Sequence, residues 1–166
     1  ARRANCEQAA RELGVDLLGR ITPEQLPDAL SRLSDQTLRR RVRHVVTEIA
    51  RTRQCCDALE HGDFQQVGEL FNQSHASLRD DYEVSSPELD LAVAAARGAG
   101  ALGARMTGGG FGGSAIALVP VAALDAVKRA VADAYLAREW TPAHVFAVHA
   151  AGPADRVAVH EAQLVE

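Results

Sequence analysis

The sequence predicts an α+β fold, a helical front half followed by a small, largely antiparallel sheet with helices layered on one face. Three observations predict it. Apolar residues recur at helical spacing through residues 1–98. From residue 99 onward, short apolar runs and turn residues follow in the order strand, loop, strand, helix, strand. Between the first two of those strands, five glycines fall within Gly108–Gly113, a run that neither a regular helix nor a strand interior tolerates.

Cys6, Ala9, Ala10 and Leu13 lie at i, i+3, i+4 and i+7, and Gly14 is placed to end that first helix. Thr22-Pro23-Glu24-Gln25 combines a cap, a proline at the first helical position and a capping-box glutamine. Pro27 keeps the helix that follows short or irregular. A long helix, capped by Ser34 or Asp35, runs to about Leu59 ahead of His61-Gly62. Its inward arc is Leu38, Val42, Val45, Val46, Ile49, Thr52, Cys56 and Leu59. Arg39, Arg40, Arg43 and Arg51 fall outside the arc, with Arg41 and Arg53 at its edges, and they read as a solvated face. Asp63 caps the next helix, with Phe64, Val67, Leu70, Phe71 and Ser74 inward. Ser85-Ser86-Pro87-Glu88 starts another, which runs to Gly98. Leu102–Met106 and Ala115–Val119 read as strands flanking the glycine loop, the second as a short buried one. Pro120 ends that strand, and Leu124, Val127, Val131, Ala134 and Tyr135 mark a helix lasting to about Arg138. Val145–Val148 reads as a further strand, Ala150–Pro153 as a turn, and Val157–Val159 as an added edge.

At 166 residues the chain holds one domain, or one domain with an appendage, and a chain of this order buries roughly 70% of its unfolded surface. A net charge of −4 gives no reason to expect nucleic acid. No apolar run approaches the roughly 20 residues that span a bilayer, and no signal segment opens the chain. The three cysteines, Cys6, Cys55 and Cys56, suit reduced, packed thiols and a cytoplasmic setting better than a disulfide framework. A chain opening on Ala1-Arg2-Arg3 without methionine reads as a segment of a longer protein or as a chain whose first methionine was removed by processing.

Glycine is favoured where the backbone adopts positive φ or approaches another group closely. Repeated positive φ turns successive N–H groups to one side and builds an anion-binding nest. Gly108–Gly113 is thus either a phosphate nest or a tight connection with close packing. The Walker lysine is missing, as are a nucleophile elbow, an H-E-x-x-H pair and a C-x-x-C pair. Asp80, Asp81 and Glu83 are candidates for metal or acid–base work, but carboxylates in a polar segment before a helix more often cap or pair with a neighbour such as Arg79. Of the six histidines only His75 sits beside other suggestive residues.

Gly103-Ala104-Arg105-Met106-Thr107-Gly108-Gly109-Gly110-Phe111-Gly112-Gly113 resembles the third signature motif of the GHMP kinases in the form galactokinases use. Ser74–Asp90, Arg43–Glu48 and Arg2–Glu7 with Leu13-Gly14-Val15 resemble galactokinases as well, in family order across nearly the whole chain. The resemblance implies ATP-dependent phosphorylation of the anomeric hydroxyl of galactose with Mg²⁺. It implies that residues 1–166 are a ferredoxin-like C-terminal domain with added helices, 1–98 mainly helical and 99–166 carrying the glycine loop, strands and helix. The N-terminal half, with the catalytic aspartate, the sugar-site motif and the serine-rich phosphate motif, would lie upstream, leaving this segment inactive alone. Gly108, Gly109, Gly110, Phe111, Gly112 and Gly113 would then face the nucleotide, supported by Arg105, Thr107 and Ser114. Arg105 either reaches into the site or tethers the loop. No catalytic residue and no metal ligand is expected in this chain. ATP and Mg²⁺ would be held mainly by the other half, which is the expected partner alongside galactose. Galactose against its N-acetyl relative stays open, as does a sugar- and ATP-binding sensor without turnover. Galactokinases commonly carry Cys where this chain has Ser86 and Ser114, which argues against an essential thiol at either place.

Overall fold

The computed structural model describes residues 2–149 and Gly152. The strand expected at Val157–Val159, His160, and all of the turn at 150–153 except Gly152 lie outside the described residues. Helix α1 spans Arg2–Leu13 and stops where Gly14 takes φ +73°. A 3-10 turn at Pro23–Gln25 leads into the short α2, Leu26–Arg32, and the Gln25 amide oxygen accepts from the Thr22 N–H at 2.9 Å. Helix α3 spans Gln36–Glu60, and Asp35 caps it by accepting from the N–H groups of Thr37 and Leu38. Helix α4 spans Phe64–Asp80, capped by Asp63 on Gln66 N–H. Helix α5 spans Pro87–Gly98 with Ser86 as its cap and Pro87 in the first turn, where a missing N–H costs nothing. Strand β1, Gly103–Thr107, and strand β2, Ser114–Leu118, form an antiparallel pair, with Gly103 opposite Leu118 and Thr107 opposite Ser114. Helix α6 spans Leu124–Leu136. The fold is α+β, and helices outweigh the sheet among the described residues.

Burial is divided among three apolar clusters. Leu13, Leu33, Leu38, Val42 and Val46 join α1, α2 and the first half of α3. Val93, Ala96, Ala104, Val127, Val131 and Tyr135 join α5, β1 and α6. The smallest, Leu78, Val84, Leu89 and Met106, sits at the root of the glycine loop.

Four expectations are corrected. Strand β2 is exposed along most of its length, because its one partner among the described strands is β1 and α6 packs on α5. Residues 145–148 form no strand and no backbone hydrogen bond among the described residues, so an apolar run without a ladder stays irregular there. The inward arc of α3 fades after Ile49: Thr52, Cys56 and Leu59 are exposed, since the helix outruns the cluster that covers its first half. Phe64 opens α4 and is 53% exposed, beyond the cover that begins at Val67.

Candidate functional site: the glycine hairpin and its supports

The glycine run forms the connection of the β1–β2 hairpin. Gly108, Gly110 and Gly112 take φ of +78°, +85° and +101°, and Phe111 takes +59°. Only residues that tolerate left-handed backbone permit such a path, and three of these four positions carry no Cβ. Phe111 N–H donates to Val84 C=O at 2.8 Å, which pins the loop to the segment ahead of α5. A Cβ on Gly110 would run into that same carbonyl. The amides of Gly108, Gly109, Gly110, Gly112 and Gly113 make no hydrogen bond among the described residues, so they remain available as donors. All of these residues except the half-buried Gly110 are exposed, as is Ser114, while Thr107 is half-buried.

Beneath the loop, α4 meets β1 backbone to backbone. A Cβ at Gly68 would strike Leu102 and one at Gly103 would strike the Gly68 carbonyl. Further along the same face of α4, Asn72 accepts from Ala104 N–H at 3.1 Å and donates to Leu102 C=O at 3.3 Å. His75 Nδ1 accepts from Met106 N–H at 3.2 Å. Side chains of a helix thus satisfy the strand amides that no second strand takes. Sequence reasoning missed Asn72 and this use of His75, although Gly68, Asn72 and His75 stand at i, i+4 and i+7.

The acidic stretch is a set of pairs. Asp80 is bound by Arg79 and held below the usual carboxylate range by that hydrogen bond. Asp81 pairs with Arg43 at 2.9 Å, and Glu83 pairs with Arg40 and Arg41. Glu83 holds φ +57°, and its carboxyl is lowered first by its hydrogen bond from Arg41. Arg41, only 3% exposed, also donates to Asp81 C=O. Arg2 donates to the carbonyls of Tyr82 and Glu83, and its guanidinium lies 5.2 Å from the Phe111 ring centre. Arg40, Arg41 and Arg43 are therefore ties to Asp81 and Glu83 rather than a solvated face, Arg51 pairs with Glu48 within α3, and Arg53 is exposed. The side chains of Arg40, Arg41 and Arg43 find carboxylates and a carbonyl just past α4, partners that no single-helix projection displays.

Arg105 is a tether in this geometry. Its Nη1 lies 3.3 Å from Glu48 Oε1, and its Nε donates to Met106 C=O at 3.0 Å. Glu48 also accepts from Ser74 Oγ and pairs with Arg51. Burial pushes the Glu48 carboxyl up, but the hydrogen bonds of Ser74 and Arg51 and the charges of Arg51 and Arg105 bring it below its ordinary value. A shallow cavity of about 140 Å³ opens beside Glu48, Arg51, Cys55, Ser74 and Arg105. None of residues 108–113 lines it. Among the described residues, no group of three or more His, Cys, Asp or Glu is arranged to hold a metal ion. No helix among them is long and apolar enough to cross a membrane.

The family described as "GHMP kinases C terminal" matches residues 55–137, and this chain belongs to it. Within that class the similarity is to galactokinases. The chain is 53% identical over 153 residues to a galactokinase of Streptomyces coelicolor, covering 91% of this chain and 40% of that protein. It is 47% identical over 135 residues to a galactokinase of Bos taurus, covering 81% and 34%. A crystal structure of Lactococcus lactis galactokinase complexed with galactose superposes with a TM-score of 0.80 at 40% identity, over 85% of this chain and 38% of that one. The chain thus spans well under half the length of these relatives.

Proposed function

We propose that this chain is the C-terminal part of a galactokinase, a cytoplasmic enzyme that transfers the γ-phosphoryl group of ATP to the anomeric hydroxyl of galactose with Mg²⁺. The observation that carries the reading is the row of unpaired amide donors between Gly108 and Gly113, on a chain 53% identical to a galactokinase. Phosphoryl transfer asks a protein for positioning and for stabilisation of negative charge rather than for covalent chemistry. Backbone N–H groups held on a fixed hairpin supply both without side-chain bulk. Phe111 spends its own amide on Val84 and so anchors the loop, while the amides of its neighbours face phosphate oxygens. Arg105, Thr107 and Ser114 support that wall, Arg105 through Glu48. The opposite wall, the catalytic aspartate and the sugar site belong to the part of the relatives this chain does not match.

The test compares galactose-dependent ADP release by this chain alone and by the full polypeptide that contains it. Turnover on galactose by the longer protein and none by the chain is the expected outcome. A full polypeptide with no galactose phosphorylation would overturn the reading, and turnover by the chain alone would overturn the placement of catalysis outside it.

A further inference from the structure

We infer that His75 is a positioning residue for the glycine loop, holding β1 in place through an acceptor at Nδ1. The inference rests on the reading above that this loop faces phosphate. The Met106 N–H can only donate, so Nδ1 must be unprotonated, and a neutral imidazole then carries its proton on Nε2. Nε2 lies 3.2 Å from Asp90 Oδ1, in ion-pair range but out of line for a good hydrogen bond. Asp90 Oδ1 also accepts from Ser85 Oγ at 2.6 Å. One buried imidazole, 4% exposed, therefore joins α4, β1, α5 and the turn ahead of α5.

The near end and the middle of the loop hang on that junction. Met106 lies one residue before Thr107, where the loop departs from β1. Val84, next to Ser85, takes the Phe111 N–H in the middle of the loop. The groups that act on the imidazole are Asp90 from α5, Arg79 from α4 and Arg105 from β1, with Asp80 of α4 also in range. Protonation at Nδ1 would set a donor against the Met106 donor and release the strand.

The variants separate acceptor from bulk. His75→Asn puts an amide oxygen where Nδ1 stands, the arrangement Asn72 already uses on Ala104. His75→Gln puts its oxygen at the Nε2 position and leaves no acceptor for Met106, and His75→Leu has none at either. In the full polypeptide, amide exchange at Met106 and the steady-state constants for galactose and ATP are measured between about pH 6 and 9. His75→Asn is expected to stay within about 3-fold of the parent in exchange and kcat, and to lose any acid limb that His75 contributes. His75→Gln and His75→Leu are expected to exchange at least about 10-fold faster at Met106 and to lose about 10-fold in kcat, with smaller changes in KM. Equal behaviour of the Asn and Gln variants would overturn the inference. If His75→Leu fails to fold, the Asn–Gln comparison decides alone. If the parent does not phosphorylate galactose, the functional reading falls while the exchange comparison still decides the role of His75.

Discussion

The glycines of the loop are not equivalent, and the difference lies in what a single methyl group would meet. At Gly109 a Cβ would meet nothing within 4 Å and φ is not positive, whereas at Gly110 it would enter Val84 C=O on a backbone held at φ +85°. Left-handed backbone on a residue with a Cβ costs about 1–2 kcal/mol, and the displaced Val84 contact adds to it. Gly110→Ala should therefore loosen the loop, with the Phe111 amide exchanging at least about 10-fold faster. Gly109→Ala should leave that amide and the unfolding midpoint unchanged. An equal response at the two positions would show that the anchor at Val84 does not hold the loop. The glycine run itself was legible in the sequence, since so few backbone shapes use it. Which glycine is pinned and which is open was not, because Val84 is remote in sequence. Arg41 teaches the same lesson, being buried through partners at residues 81 and 83 that a helical wheel cannot display.

Among the elements, α4 decides where the hairpin sits. Its Gly68 touches Leu102 backbone, and Asn72 and His75 take strand amides in place of a neighbouring strand. A backbone cannot shift as a side-chain tip can, so Gly68→Ala should destabilise by about 3 kcal/mol, the upper part of the range for overpacking. Gly98→Ala, in the last turn of α5 with nothing within 4 Å, should be neutral or stabilising by up to about 1 kcal/mol. Urea midpoints of the two variants check both signs, and a mild Gly68→Ala would mean that α4 and β1 separate easily. Helix starts at Asp35, Asp63 and Ser86 were readable because a cap acts within three residues of itself. Strand burial was not, since it depends on distant partners: most of β2 is exposed, and residues 145–148 find no ladder partner among the described residues. The α4–β1 seam stayed hidden for a similar reason, because glycine, asparagine and histidine form no apolar stripe.

For the molecule as a whole, the seam between α3, α4 and β1 concentrates buried polarity in place of a large apolar core, and acid should attack it in two stages. His44 and His75 both titrate below their ordinary range, each chiefly because burial disfavours the imidazolium. Glu48 and Asp81 pull His44 upward while Arg51 and Arg105 oppose them, and Asp90 does the same for His75 against Arg79 and Arg105. His44 is also held by Ser77 Oγ at 2.9 Å and stacks on Tyr82. An unfolded chain binds protons at histidine near pH 6.5, before the folded one does. Stability is thus complete above about pH 6.5 and falls with pH until the lowered folded values are passed. Glu48 starts ionised where the histidines start neutral, but the direction of loss is the same. Its folded value lies below the ordinary one, so its contribution is present above about pH 4.5 and disappears as pH falls through the folded value. Urea midpoints should therefore decline between about pH 7 and 5 and decline again below about pH 4.5. His75→Asn should flatten the first stage, because asparagine keeps the strand acceptor without titrating. A midpoint that holds level or rises between pH 7 and 5 would mean that these imidazoles are not stored neutral, and with that the Nδ1 acceptor under the glycine loop would lose its basis.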